Sequence, residues 1–177
     1  MSPLQNDFEK KLTELGLSYG VHNDALYTIL NKQVGANAIT VRLINSLPIN
    51  KQIHCSNNGN DVQAVGRFKF NLSSSGLDPD ILGLAFKNTL KNRVEFILVP
   101  LQEFLRRRVK TNPSSVYHKR VVMTIWLFEN GHTYDTTNIS PEGEWFYLSQ
   151  GVNGRMVDNS ESDYSEFLNN WHWITDR

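Results

Sequence analysis

Cysteine is almost missing from this chain: of 177 residues only Cys55 carries a thiol. No intrachain disulfide framework is possible, and a reducing compartment is the expected setting. Long apolar runs are also missing. Nothing approaches the roughly 18–20 residues of a membrane helix, and the opening MSPLQNDFEKKL lacks the basic-then-apolar layout of a signal peptide. The expectation is a cytoplasmic protein with no membrane partner. Glycine-rich phosphate loops are absent, because Gly59, Gly66 and Gly76 have the wrong spacing. His22, His54, His118, His132 and His172 are too scattered to make a zinc site with one cysteine. No Gly-x-Ser-x-Gly elbow occurs. His54 and Cys55 are neighbours on a predicted strand, so they point to opposite faces and cannot pair as base and nucleophile. Cys55 reads as a small core residue.

What is present is ordinary globular composition. At 40% hydrophobic and 20% charged, with no low-complexity tract, the chain excludes disordered and fibrous classes. Its length suits a single domain over residues 1–177.

The formal net charge is zero, but the charges are segregated. Residues 1–128 hold 16 lysines and arginines against 9 carboxylates, whereas residues 129–177 hold 2 against 9. Between Phe104 and Phe128 there is no carboxylate, while Arg106, Arg107, Arg108, Lys110, Lys119 and Arg120 all fall there. Two readings follow. Either the basic window meets an anionic partner, or the acidic tail folds back and neutralises it.

Periodicity gives the elements. Leu4, Phe8, Leu12 and Leu15 have helical spacing after Ser2-Pro3, with Gly16 as a stop. A second helical piece is expected over Asn23 to Lys32. AITVRLI reads as a strand, and KQIHC (51–55) as its hairpin partner. GRFKFNL alternates Phe68, Phe70 and Leu72 against Arg67, Lys69 and Asn71, so one face is buried. ILGLAF and VEFILV read as buried strands joined by a turn at Asn88–Asn92. Pro100 opens a helix through Leu101, Phe104, Leu105 and Val109, ahead of a strand at VVMTIWLF. Ser160 to Asp163 form a capping-box pattern before Tyr164, Phe167, Leu168 and Trp171, which predicts a final helix. Trp171 lies on its apolar stripe and Trp173 lies off it, part exposed. The fold class is α/β (or α+β): one domain with a central mixed sheet flanked by helices.

The order of these pieces over residues 35–104 resembles the core of the PD-(D/E)XK, restriction-endonuclease-like superfamily. KQIHCS lies where that family has a strand of the type IQVKTS. GRFKFNL, PDILGLAF and VEFILVPLQEF follow in the family's order, and FLNNWHWI is similar to the tail of several members. The resemblance implies a nuclease scaffold that holds Mg²⁺ between carboxylates, with a lysine at the attacking water. At the corresponding positions this chain carries Asn37, Gln52 and His54, polar residues without a carboxylate. Magnesium wants hard anionic oxygen, so the resemblance implies a degenerate catalytic site and no cofactor.

Three functions remain open on the sequence. The first is a non-catalytic nucleic-acid-binding or interaction module, contacting phosphates through Arg67, Lys69, Arg107, Lys110, Lys119 and Arg120. Trp171 and Trp173 are candidate stacking groups for it. The second is an active Mg²⁺-dependent endonuclease using displaced carboxylates, Asp61, Asp78 or Asp80, with Gln52. The third is an assembly protein, a homo-oligomer in which the basic window meets the acidic tail of another copy. Asp80 has a plainer reading, as an aspartate that hydrogen-bonds a strand start or caps a turn beside Pro79.

Overall fold

A computed structural model describes residues 2–30, 38–48, 62–72, 78–137 and 160–176. The chain opens with α1 (Pro3–Glu14), β1 (Ser18–His22), a 3-10 turn (Asn23–Ala25) and β2 (Leu26–Leu30). Then come β3 (Ala38–Asn45), β4 (Val62–Asn71), β5 (Ile81–Asn88) and β6 (Arg93–Pro100). They are followed by α2 (Leu101–Thr111), α3 (Pro113–Tyr117), β7 (Arg120–Phe128) and β8 (Thr133–Asp135). Two 3-10 turns (Ser160–Ser162 and Ser165–Phe167) lead to a short α4 (His172–Thr175).

Ser2-Pro3 opens α1 as the sequence predicts, and Gln5 completes a capping box. The Gln5 amide donates to Ser2 Oγ at 3.2 Å, and the Ser2 amide donates to Gln5 Oε1 at 2.7 Å, with Pro3 at the first helical position. Gly16, at φ +70°, ends the helix.

The strands form two sheets rather than one central sheet. A five-stranded mixed sheet has the order β1-β2-β3-β5-β6, with β3 and β5 parallel and the other pairs antiparallel. A three-stranded antiparallel sheet has the order β4-β7-β8. The sequence patterns explain the division. β5 and β6 are apolar on both faces and need cover on both sides, whereas β4 alternates and suits a sheet with one wet face. Phe8 and Leu12 of α1 pack with Ile81, Ala85, Phe96 and Leu98 on one side of the large sheet. On its other side Leu82, Leu84, Phe86, Ile97 and Val99 meet Phe68, Phe70, Val121, Met123 and Ile125 of the small sheet. The result is three layers, with α2 inserting Phe104 into the inter-sheet core.

Two expected helices take other forms. Residues 26–30 form β2, because pairing with β3 sets Leu26, Tyr27 and Ile29 in buried positions, and Ala25 at φ +55° breaks any helical path. Residues 160–171 form 3-10 turns and isolated bridges. Asp163 Oδ1 accepts from the Ser165 amide at 2.9 Å, a local bond that competes with helix. The segment is instead pulled across both sheets. Tyr134 bridges to Asp163 at the β8 edge, and Ile97 bridges to Leu168 at the β6 edge. Trp171 then packs on Phe8 and Phe96 at ring-centroid distances of 5.6 and 5.5 Å, while Trp173 packs on Phe167 at 5.9 Å. No helix among the described residues is long and apolar enough to cross a membrane.

KQIHC lies outside the described residues, as does Cys55. In the structure β3 is hydrogen-bonded to β2 on one side and to β5 on the other.

Candidate nucleic-acid interface

The arginines of α2 come first, since the sequence gives them the strongest claim on an anion. Consecutive helical residues lie about 100° apart, so Arg106, Arg107 and Arg108 point in three directions. Each meets carboxylate. Arg106 donates to Glu103 Oε1 at 2.7 Å and to Glu161 Oε1 at 2.9 Å. Arg107 is 6% exposed; it donates to Glu103 Oε1 at 2.7 Å and to Glu166 Oε1 at 2.5 Å. Its guanidinium also lies 4.9 Å from the Phe167 ring centroid and 5.5 Å from that of Tyr164. Arg108 is fully buried and pairs with Asp135, with Ser115 Oγ and the Val122 carbonyl accepting its other donors. Lys110 donates to Glu161 Oε1 at 2.5 Å.

Asp135, Glu161 and Glu166 all come from the acidic end of the chain, so the tail does fold back onto the basic window. Of the two sequence readings, this is the one the structure shows for residues 106–110. Hydrogen bonds from Arg106 and then Arg107 outweigh desolvation and hold the Glu103 carboxyl down at about 2. Lys110 and Arg106 likewise lower the pKa of Glu161. Arg107 and Lys110, both expected among the phosphate contacts, are thus engaged inside the molecule. The arrangement also pairs Glu161 and Glu166 with α2 of their own chain, where the assembly reading placed a second copy's tail.

The nuclease positions divide differently. Asn37, Gln52, His54 and Asp61 lie outside the described residues. Asp78 is exposed in the loop before β5. Asp80 ties β5 to β3: its Oδ2 accepts from the Thr40 amide and hydroxyl, each at 2.8 Å, and its amide donates to Thr40 Oγ1 at 3.0 Å. Asp80 thus hydrogen-bonds a strand start rather than a turn beside Pro79. Among the described residues, no group of three or more His, Cys, Asp and Glu is arranged to hold a metal ion.

Arg67, Lys69 and Arg120, the other predicted phosphate contacts on strands, converge on the outer face of the small sheet. Phe68 and Phe70 point into the inter-sheet core, so Arg67 and Lys69 point away from it. On β7 the inward set is Val121, Met123 and Ile125, which turns Arg120, Val122 and Thr124 outward. The register sets Arg67 opposite Thr124, Lys69 opposite Val122, and Asn71 opposite Arg120. Same-face neighbours along a strand are about 7 Å apart and directly opposed residues about 5 Å, so Arg67, Lys69 and Arg120 share one patch. Lys119, at φ +53°, is exposed at the turn that delivers the chain into β7, and its carbonyl accepts from the Leu72 amide at 2.8 Å.

Among the described residues, Arg67, Lys69, Lys119 and Arg120 form no ion pair. Neither β4 nor β7 contains an aspartate or glutamate. The apolar surface among these cations is Val122, 36% exposed, and Tyr117, 84% exposed at the end of α3. Tyr117 and His118 stand perpendicular, with ring centroids 5.1 Å apart. Sequence reasoning named the basic run beside Tyr117 and missed the ring itself. The expected stacking groups, Trp171 and Trp173, are instead half-buried against the core aromatics. Compared with protein-family models, curated proteins and solved structures, the chain matches none.

Proposed function

We propose that this chain is a non-catalytic nucleic-acid-binding module that contacts the phosphate backbone through the outer face of its small sheet. The observation that supports it is the sorting of the cations. Those on α2 are matched by internal carboxylates, while Arg67, Lys69 and Arg120 stand outward on two strands that lack acidic residues, with Lys119 exposed at the turn into the second of them. An unpaired basic patch of this kind is the electrostatic footprint of a polyanion site. The nuclease-like scaffold belongs to the same proposal, in a silent form. Asn37, Gln52 and His54 offer magnesium no carboxylate, and the carboxyl of Asp80 is engaged by Thr40.

The test is fluorescence anisotropy with a labelled oligonucleotide over a salt series, alongside a plasmid-cleavage assay with Mg²⁺. Four phosphate contacts give a log–log salt slope of about −3. The triple variant R67A/K69A/R120A is expected to lose most of that slope, and no cleavage is expected. Unchanged binding by the triple variant overturns the proposal, and Mg²⁺-dependent cleavage abolished by Gln52→Ala overturns its non-catalytic part.

A further inference from the structure

We infer that the ligand of this face is single-stranded nucleic acid, and that Tyr117 supplies the platform on which one of its bases stacks. The inference rests on the binding reading above and adds the kind of strand.

Tyr117 closes the five-residue α3, and the chain then turns through Lys119 at φ +53° into Arg120, the first residue of β7. The most exposed aromatic ring among the described residues therefore sits within three residues of Lys119 and Arg120, two of the cations of this face. At 84% exposure the ring adds little to the core. Its perpendicular contact with His118 limits its motion while leaving most of its π surface in water. Duplex DNA is read by an element that enters a groove, such as a helix or a two-stranded ribbon. Here the basic residues project from strands that lie flat against a packed core, and the exposed ring stands at the end of the patch. Paired bases offer that ring nothing along the side of a duplex, whereas an unpaired strand presents phosphates to Arg67, Lys69 and Arg120 and a free base to Tyr117. Aromatic stacking beside a cationic track is how sequence-tolerant single-strand binders gain affinity. Val122, exposed between Lys69 and Arg120, adds apolar surface for the sugar–base portion of the strand.

The experiment titrates the whole chain with labelled oligothymidylate, the same strand annealed to oligoadenylate, and heparin. Oligothymidylate is expected to bind at least tenfold tighter than the duplex. Tyr117→Ala is expected to weaken oligothymidylate binding by roughly tenfold while leaving heparin binding unchanged, and Tyr117→Trp to retain it. Tyr117 is nearly free of packing, so its variants fold. Equal affinity for the two DNA forms, or no effect of Tyr117→Ala on the single strand, overturns this inference. The binding reading fails separately, when R67A/K69A/R120A leaves affinity for every probe unchanged.

Discussion

The Arg108 guanidinium, buried in the interior, pairs with the nearly buried Asp135 carboxylate of β8, so the basic helix and the acidic end of the chain are joined inside the molecule. Removing one partner of a buried pair leaves an uncompensated charge and costs about 3–5 kcal/mol. Asp135→Ala is therefore expected to lower the urea midpoint steeply. The double variant D135A/R108M is expected to recover part of that loss, because it removes both charges. A double variant worse than the sum of the singles would show that the pair is not what holds α2 to β8.

Acid should loosen the α2 network. Glu103 has its folded pKa lowered from 4.5 to about 2 by Arg106 and Arg107, and that of Glu161 is also lowered. A carboxyl depressed in the folded state stabilises it fully above its unfolded value, and the benefit is lost as pH falls from about 4.5 towards 2. Denaturation midpoints measured across that window should fall with pH, and Glu103→Gln should flatten the slope. A slope unchanged in that variant assigns the acid sensitivity elsewhere.

The C-terminal strap depends on Asn169. Its amide donates to the Phe96 carbonyl at 2.6 Å, its Oδ1 accepts from the Phe96 amide at 3.0 Å, and its Nδ2 donates to Glu95 Oε2 at 2.6 Å. Glu95 is fully buried, with Asn88 and Arg93 as its other donors. Asn169 also sits at φ +50°, a region that asparagine tolerates better than most residues. Asn169→Ala loses a donor to a buried carboxylate and adds backbone strain, for an expected cost of about 2–4 kcal/mol. Asn169→Gly removes the strain but still loses the side-chain bonds, so it should fall between wild type and alanine in thermal melts.

How much of this was legible beforehand depends on where the determining contacts lie. The cap of α1, the alternation of β4 and the double-sided burial of β5 and β6 are local patterns, and they appear as read. The partition into two sheets was not legible, because it depends on which strand pairs with β7, a contact between residues about fifty or more positions apart. The same holds for the tail. Tyr164, Phe167, Leu168 and Trp171 have helical spacing, yet Asp163 and Leu168 bridge to different sheets and the pattern serves a strap instead. Among the site residues, composition named the cations without placing them. Only the fold could divide them into Arg107 and Lys110, paired within the molecule, and Arg67, Lys69, Lys119 and Arg120, facing out.

Close packing between the sheets makes Gly66 a sensitive position. A Cβ there would fall 2.7 Å from Phe68 Cε2 and 3.0 Å from Phe86 Cβ. Both phenylalanines are fully buried, so neither ring has room to yield. Gly66→Ala is expected to destabilise by about 1–3 kcal/mol through overpacking, read as a lower melting temperature. An unchanged melting temperature would mean that the two sheets separate more easily than their packing implies.

The division of the cations also gives the sharpest comparison between single variants. Lys69 projects into water with no carboxylate on its own strand or on β7, whereas Lys110 shares Glu161 with Arg106. A lysine that contacts phosphate contributes about one unit to the salt slope, and its loss weakens binding uniformly across sequences. Lys69→Ala should reduce the slope of oligonucleotide binding by about 1. Lys110→Ala should leave slope and affinity alone and register instead as a small loss of stability, since half-exposed pairs contribute about 0.2–1 kcal/mol. If Lys110→Ala lowers the slope as much as Lys69→Ala does, α2 opens to the ligand and the binding surface extends beyond the small sheet.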